Sequence, residues 1–96
     1  MEIQHKHTAN SGVFFIQDEQ QKETLAKIEY VIHNPNKIII EHTEVSDKLA
    51  GKGVGKKLVE AVVQYARAQQ QKVAATCTYA HAVLLKTTDY TDVFIA

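Results

Sequence analysis

Residues 42–59 read His-Thr-Glu-Val-Ser-Asp-Lys-Leu-Ala-Gly-Lys-Gly-Val-Gly-Lys-Lys-Leu-Val, the end of an apolar strand that runs through a glycine-rich turn into an amphipathic helix. Gly51, Gly53 and Gly55 drop the side chain at alternate positions, so the backbone can enter left-handed conformations and approach a ligand closely. The helix that follows leaves its first N–H groups without intrahelical partners and carries a partial positive charge at that end, which suits a phosphate or pyrophosphate. Lys52, Lys56 and Lys57 add full charges at the same place. Lysines at a helix start oppose the dipole, and an anionic ligand is a reason to carry them. A plain tight connection between strand and helix is the alternative, and the flanking sequence has to decide.

Spacing separates three kinds of phosphate loop. A P-loop ends in Gly-Lys-Ser/Thr with a glycine five positions before the last one. Set on Gly55-Lys56, that pattern puts Ala50 at the first glycine and Lys57 at the hydroxyl. A dinucleotide fingerprint starting at Gly51 needs glycine where Lys56 stands, and the chain is short for a doubly wound domain. The third pattern is Arg/Gln-x-x-Gly-x-Gly/Ala, the acyl-coenzyme A pyrophosphate loop of the GNAT acetyltransferases. Ala50-Gly51-Lys52-Gly53-Val54-Gly55 resembles it at every position but the first, where Ala50 replaces the Arg or Gln.

Composition narrows the classes. With 96 residues, 45% of them hydrophobic, the chain is expected to form one domain over residues 1–96 around one core. No run approaches the ~20 apolar residues of a membrane span, and the Met-Glu-Ile-Gln-His-Lys-His start lacks a signal-peptide core, so a cytoplasmic protein is the default. Eleven basic and eleven acidic residues leave a formal net charge of zero. That balance argues against nucleic-acid and membrane-surface partners. The single cysteine, Cys77, rules out an internal disulfide and a multi-cysteine zinc site.

Outward from the glycine loop, residues 13–17 read as a strand and residues 24–32 as a half-buried one, with Leu25, Lys27, Glu29 and Val31 on one face and Ala26, Ile28, Tyr30 and Ile32 on the other. Asn34-Pro35-Asn36 turns the chain into a strand over 37–45, whose Ile38-Ile39-Ile40 run predicts cover on both faces. These strands form an antiparallel meander. After the loop, Leu58, Val59, Val62, Val63 and Ala66 recur at helical spacing, and Gln69-Gln70-Gln71 reads as the helix end. A strand over 73–76 then lies parallel to the 37–45 strand by the right-handed crossover rule. A second helix over 79–85, capped by Thr76 or Thr78, and an edge strand over 93–95 complete an α/β fold with a mixed sheet. The N-terminus, with His5 and His7, is expected to be mobile.

This order of elements is similar to the core of a GNAT acetyltransferase, in particular the small single-domain group in which His42-Thr43-Glu44-Val45 precedes the loop and a cysteine follows the next strand. The resemblance spans roughly residues 11–90. It implies acetyl-coenzyme A as cosubstrate, no metal, and an amine acceptor in a protein, a polyamine or a small molecule. It also implies that Thr43, Glu44 and Val45 hold the pantetheine arm, and that Gly51, Lys52, Gly53, Val54, Gly55, Lys56 and Lys57 hold the phosphates. A strand edge offers N–H and C=O groups that such an amide-bearing arm can satisfy. Many family members carry Asn-x-x-Ala-x-x-x-Tyr after the parallel strand. Here Cys77 takes the Asn place, Ala80 matches, and Leu84 replaces the tyrosine that acts as general acid.

Catalytic candidates follow from these departures. Cys77 is a thiol expected beside the arriving thioester, either as covalent acceptor or as acid for the leaving thiolate; the alternative is a small core hydrophobe. Alternation along the strand puts residues 38, 40, 42 and 44 on one side, so His42 and Glu44 share a face, and a parallel neighbour is expected to bring Cys77 near His42. His42 is then the base for the amine or the thiol, with Glu44 orienting it or acting itself. Tyr79 and Tyr90 can contact cofactor or acceptor or simply pack, and His33 and His81 read as solvated or structural. A coenzyme A-binding module without turnover and a small protein-interaction domain remain open beside the enzyme. A monomer or weak homodimer is expected.

Overall fold

The computed structural model describes residues 2–95. Its elements run β1 (Gln4–His7), β2 (Ser11–Gln17), β3 (Thr24–Asn34), β4 (Lys37–Val45), α1 (Val54–Ala68), β5 (Lys72–Ala75) and α2 (Thr78–Lys86). The strands form one sheet in the order β1-β2-β3-β4-β5, antiparallel except for the parallel pair β4 and β5. Short polar connections dictate the hairpins. Between β3 and β4, Asn34 Oδ1 accepts from the Asn36 amide at 2.9 Å, the local turn bond that an asparagine beside proline supplies.

The helical period of α1 delivers its apolar stripe as expected: Leu58, Val59, Val62, Val63 and Ala66 are fully buried. Gln70 enters the left-handed region at φ 58° and stops the helix. The right-handed crossover seats α1 on one side of the sheet, and Ala80 and Leu84 of α2 join the same core as Ile28, Tyr30, Ile38 and Ile40. Both helices therefore cover one side, here called the helix side. On the other side, the open side, Val13, Val31 and Ile39 are only half-buried. Phe15 lies under the Lys6 ammonium at 5.4 Å. The expected cover on both faces of the Ile38–Ile40 run is thus corrected: Ile38 and Ile40 are buried, while Ile39 faces a side that neither helix reaches.

One residue reverses the parity of β4. Tyr30 pairs with Ile40 but Glu29 pairs with His42, which leaves Glu41 as an extra residue in a β-bulge. Because side chains alternate with period two, the insertion moves every later residue to the opposite face. Beyond it, Thr43 sits across from Ile28 and Val45 across from Ala26, on the helix side, while His42 and Glu44 sit across from Glu29 and Lys27 on the open side. The expectation that residues 38, 40, 42 and 44 share one side is corrected accordingly.

Three smaller differences concern the ends. The N-terminal segment is ordered as β1, pinned where the His5 ring stacks on Phe14 with centroids 3.9 Å apart and His5 Nε2 meets the Tyr30 hydroxyl at 2.7 Å. Gly12 permits this, because a Cβ there would collide with the Tyr30 ring. The cap of α2 is Cys77, with no side-chain cap bond, in place of Thr76 or Thr78. The expected edge strand over 93–95 shrinks to a single parallel bridge between Val73 and Phe94, held against α1 where Arg67 grips Asp92 at 2.8 Å.

Candidate functional site

The pairing of β5 with β4 ends at Ala75 opposite Ile40. The amides of Thr76 and Cys77 both converge on the Ile40 carbonyl, at 2.9 and 3.3 Å, and the chain swings away into α2. Residues 41–45 of β4 thus keep β3 on one edge and have no strand on the other. Backbone groups on that edge are free to pair with an extended ligand. The opening continues on the helix side into a cleft of about 410 Å³ lined by Thr43, Val45, Leu49, Ala50, Gly51, Gly53, Val54, Gly55 and Tyr79.

The glycine loop floors this cleft. Leu49, 5% exposed, anchors the turn in the core, and the Ser46 hydroxyl accepts from the Lys48 amide at 3.2 Å. Gly51 and Gly53 adopt φ of 76° and 69°, and a Cβ built on either meets nothing within 4 Å. Their lack of a side chain therefore serves the left-handed backbone and leaves the space in front of it clear. Gly53 caps α1 with no side-chain bond, and no acidic residue occupies the first turn. The first-turn amides stay available to an anion. Gly55 differs, since its Cβ would stand 2.5 Å from the Tyr79 hydroxyl oxygen; glycine here lets Tyr79 form the far wall. Lys52, Lys56 and Lys57 are exposed and lie outside the cleft lining, with Lys56 and Lys57 flanking a separate groove beside Tyr90.

Cys77 lies against Thr43, one of the residues lining the cleft. Its Sγ donates to Thr43 Oγ1 at 3.4 Å. Burial pushes the thiol up, but the Thr43 hydroxyl and the backbone amides of Ala80, Tyr79 and Thr43 together hold it below its usual value. The leucine-for-tyrosine departure is structural as well, since Leu84 is 1% exposed and packs in the core.

His42 lies across β4 from this thiol. Its Nε2 is 3.6 Å from Glu44 Oε2, so the expected sharing of a face by His42 and Glu44 holds. Lys27 Nζ reaches Glu44 Oε2 and Glu29 Oε1, both at 3.7 Å. The expected approach of His42 to Cys77 is corrected by the bulge: Thr43, not His42, meets the thiol. Sequence reasoning missed the Thr43 side chain because of the parity change at Glu41, which no residue type announces, while Tyr79, read as able to contact cofactor or acceptor or simply to pack, lines the cleft. His81 packs edge-on to Phe94 at 5.5 Å, and Tyr90 is buried with its hydroxyl donating to Glu60. Among the described residues, no group of three or more His, Cys, Asp or Glu is placed to hold a metal, and no helix is long and apolar enough to cross a membrane.

Residues 13–93 match the family model described as GCN5-related N-acetyl-transferase. A GCN5-like protein of Staphylococcus aureus, assigned as an N-acetyltransferase and solved by NMR, is 43% identical and superposes with a TM-score of 0.77 over 99% of this chain and 88% of that one. An aminoglycoside acetyltransferase from an uncultured soil metagenomic sample superposes at 0.63 with 17% identity, covering 84% of this chain and 60% of its own. For a GNAT-family protein of Desulfovibrio desulfuricans the TM-score is 0.59 at 14% identity, covering 70% of this chain and 43% of its own. These last two share the fold alone, and the chain spans about half their length. No curated protein matches.

Proposed function

The chain belongs to the GCN5-related N-acetyltransferase family, and from that premise we propose that it transfers an acetyl group from acetyl-coenzyme A to an amine across the free end of β4. The observation that carries this reading is the division made by that strand: a cleft with a capless helix start on one side, and the His42–Glu44 pair on the other.

The residues present fit the cosubstrate. Open left-handed glycines and first-turn amides suit a pyrophosphate, the unpaired edge of Thr43 to Val45 suits an amide-bearing arm, and Lys52, Lys56 and Lys57, exposed around the start of α1, add positive charge to that end of the helix. Acetyl-coenzyme A, when bound, supplies a thioester as the acetyl donor. The chain's own groups divide the proton work. His42 Nε2 is placed to accept the proton of an amine arriving from the open side, with Glu44 steadying it. Cys77 Sγ, on the helix side, holds a proton that it yields more readily than an ordinary thiol does, which suits a donor to a leaving sulfur. Its placement across the strand from His42 favours direct transfer to the amine over relay through an acetyl-Cys77. A coenzyme A binder without turnover is the second reading, favoured by the buried Leu84 in the general-acid position.

Intact mass after mixing with acetyl-coenzyme A, together with an amine screen, tests the proposal. Direct transfer leaves the protein mass unchanged while an amine is acetylated. A stoichiometric adduct that disappears in Cys77→Ala would put the cysteine on the path instead. Binding with no acetylated amine across the screen would favour the silent binder.

A further inference from the structure

Among the described residues that line the helix-side cleft, only Thr43 and Tyr79 carry a polar side chain. The Thr43 hydroxyl is engaged by Cys77 Sγ. Ala50, at the place of the Arg or Gln in the family loop, brings no donor, and Lys52, Lys56 and Lys57 lie outside the lining. The Tyr79 phenol is therefore the side-chain donor left to the cleft. Tyr79 springs from the first turn of α2, where its amide faces the Cys77 thiol, and its ring crosses to the first turn of α1. A Cβ on Gly55 would stand 2.5 Å from the phenol oxygen and 2.8 and 2.9 Å from Cζ and Cε2, so the edge of the ring rests on the Gly55 backbone. The Lys57 amide bonds the Gly53 carbonyl at 3.2 Å, and the amides of Val54, Gly55 and Lys56 precede it with no intrahelical carbonyl to meet. The hydroxyl thus stands beside the amides that an anion would use. Packing alone does not demand a tyrosine there, since Tyr79 is 44% exposed.

Resting on the acetyl-coenzyme A reading above, we infer that Tyr79 is a phosphate-binding residue, whose hydroxyl donates to the pyrophosphate oxygens next to the pantetheine arm and supplies the side-chain donor that Ala50 lacks. Its place between the Cys77 thiol and the start of α1 selects that phosphate, because the thioester end of the cosubstrate belongs near the thiol and the pyrophosphate near the α1 amides. Gly55 is the residue that admits the phenol. The apolar face of the ring keeps its separate part as a wall of the cleft, and that part survives loss of the hydroxyl.

Titration of the cofactor-free, isotope-labelled protein and its Tyr79→Phe variant with coenzyme A, phosphopantetheine and pantetheine, read by amide NMR, tests this. Phenylalanine keeps the ring over Gly55 and removes the donor alone. The variant is expected to bind coenzyme A and phosphopantetheine about tenfold more weakly than wild type and pantetheine, which has no phosphate, equally well. Tyr79→Ala, which removes the wall as well, is expected to weaken all three. Coenzyme A binding that is unchanged in Tyr79→Phe overturns the inference and leaves the cofactor reading standing. A loss shared equally by pantetheine overturns it too, since the hydroxyl would then serve the arm or the packing. So does a loss on coenzyme A that phosphopantetheine does not share, which would put the hydroxyl against the nucleotide end. Failure of coenzyme A to bind the wild type removes the cofactor reading, and the inference falls with it.

Discussion

The two sides of β4 differ in how they are built. The helix side is concave, backed by α1 and α2 and floored by glycines. The open side is a sheet surface that carries charged side chains, among them Lys6 over Phe15 and Lys27 between Glu29 and Glu44. One inserted residue, Glu41, produces the difference by turning Thr43 and Val45 toward the helices and His42 and Glu44 away from them. A single strand thus carries a cleft on one side and the His42–Glu44 pair on the other.

Inserting one alanine after His42 should break this arrangement most severely. Plain alternation beyond the insertion turns Thr43 and Val45 outward and Glu44 toward the apolar core. Buried without a partner, that carboxylate costs about 3 kcal/mol or more, so a large fall in melting temperature is expected together with loss of coenzyme A binding. Deletion of Glu41 instead makes His42 follow Ile40 directly in a regular ladder that keeps the present pairs, so it should melt close to wild type. An insertion that melts like wild type would show that parity beyond the bulge does not hold the two sides apart.

Gly53→Asp attacks the helix side alone. Its φ of 69° disfavours a side chain, and the carboxylate enters the space left for an anion. At ~100 times its dissociation constant, coenzyme A should stabilise the wild-type fold by about 2.7 kcal/mol, several degrees for a domain of this size, and the variant should show no such shift. His42→Ala attacks the open side. Turnover is expected to fall by about 10²-fold or more, with the coenzyme A shift intact. Unchanged turnover would remove His42 from the mechanism, and a lost shift would mean that the two sides are not separate.

How much of this was legible in the sequence depends on the side of the strand. Glycine at alternate positions before an apolar helical stripe has a local cause, so the loop, α1 and the parallel β5 could be read from Gly51, Gly53, Leu58 and Val73. The three hairpin strands followed from alternation and from Asn34-Pro35-Asn36 in the same way. The open side could not be read, because a bulge is decided by register between strands and Glu41 looks like any exposed strand residue. The partnership of Cys77 with Thr43 stayed hidden for that reason. Likewise β1 depends on a long-range stack of His5 on Phe14 that four mixed residues do not signal.

The smallest effect expected concerns the thiol. With its acidity raised by Thr43 and the α2 amides against the opposing pull of burial, Cys77 should reach half-maximal alkylation by iodoacetamide at a lower pH than a cysteine in an unfolded peptide of the same sequence. Thr43→Val should move that midpoint upward. An unmoved midpoint would mean that Thr43 does not tune the thiol.

The most direct test of the division is the amide spectrum of the labelled protein with coenzyme A. Shifts are expected at Thr43, Val45, Tyr79 and residues 51–57, with Lys6, Val13, Glu29 and Val31 unmoved. Shifts centred on the open-side residues, or none at saturating coenzyme A, would contradict the assignment of the helix side to the cosubstrate.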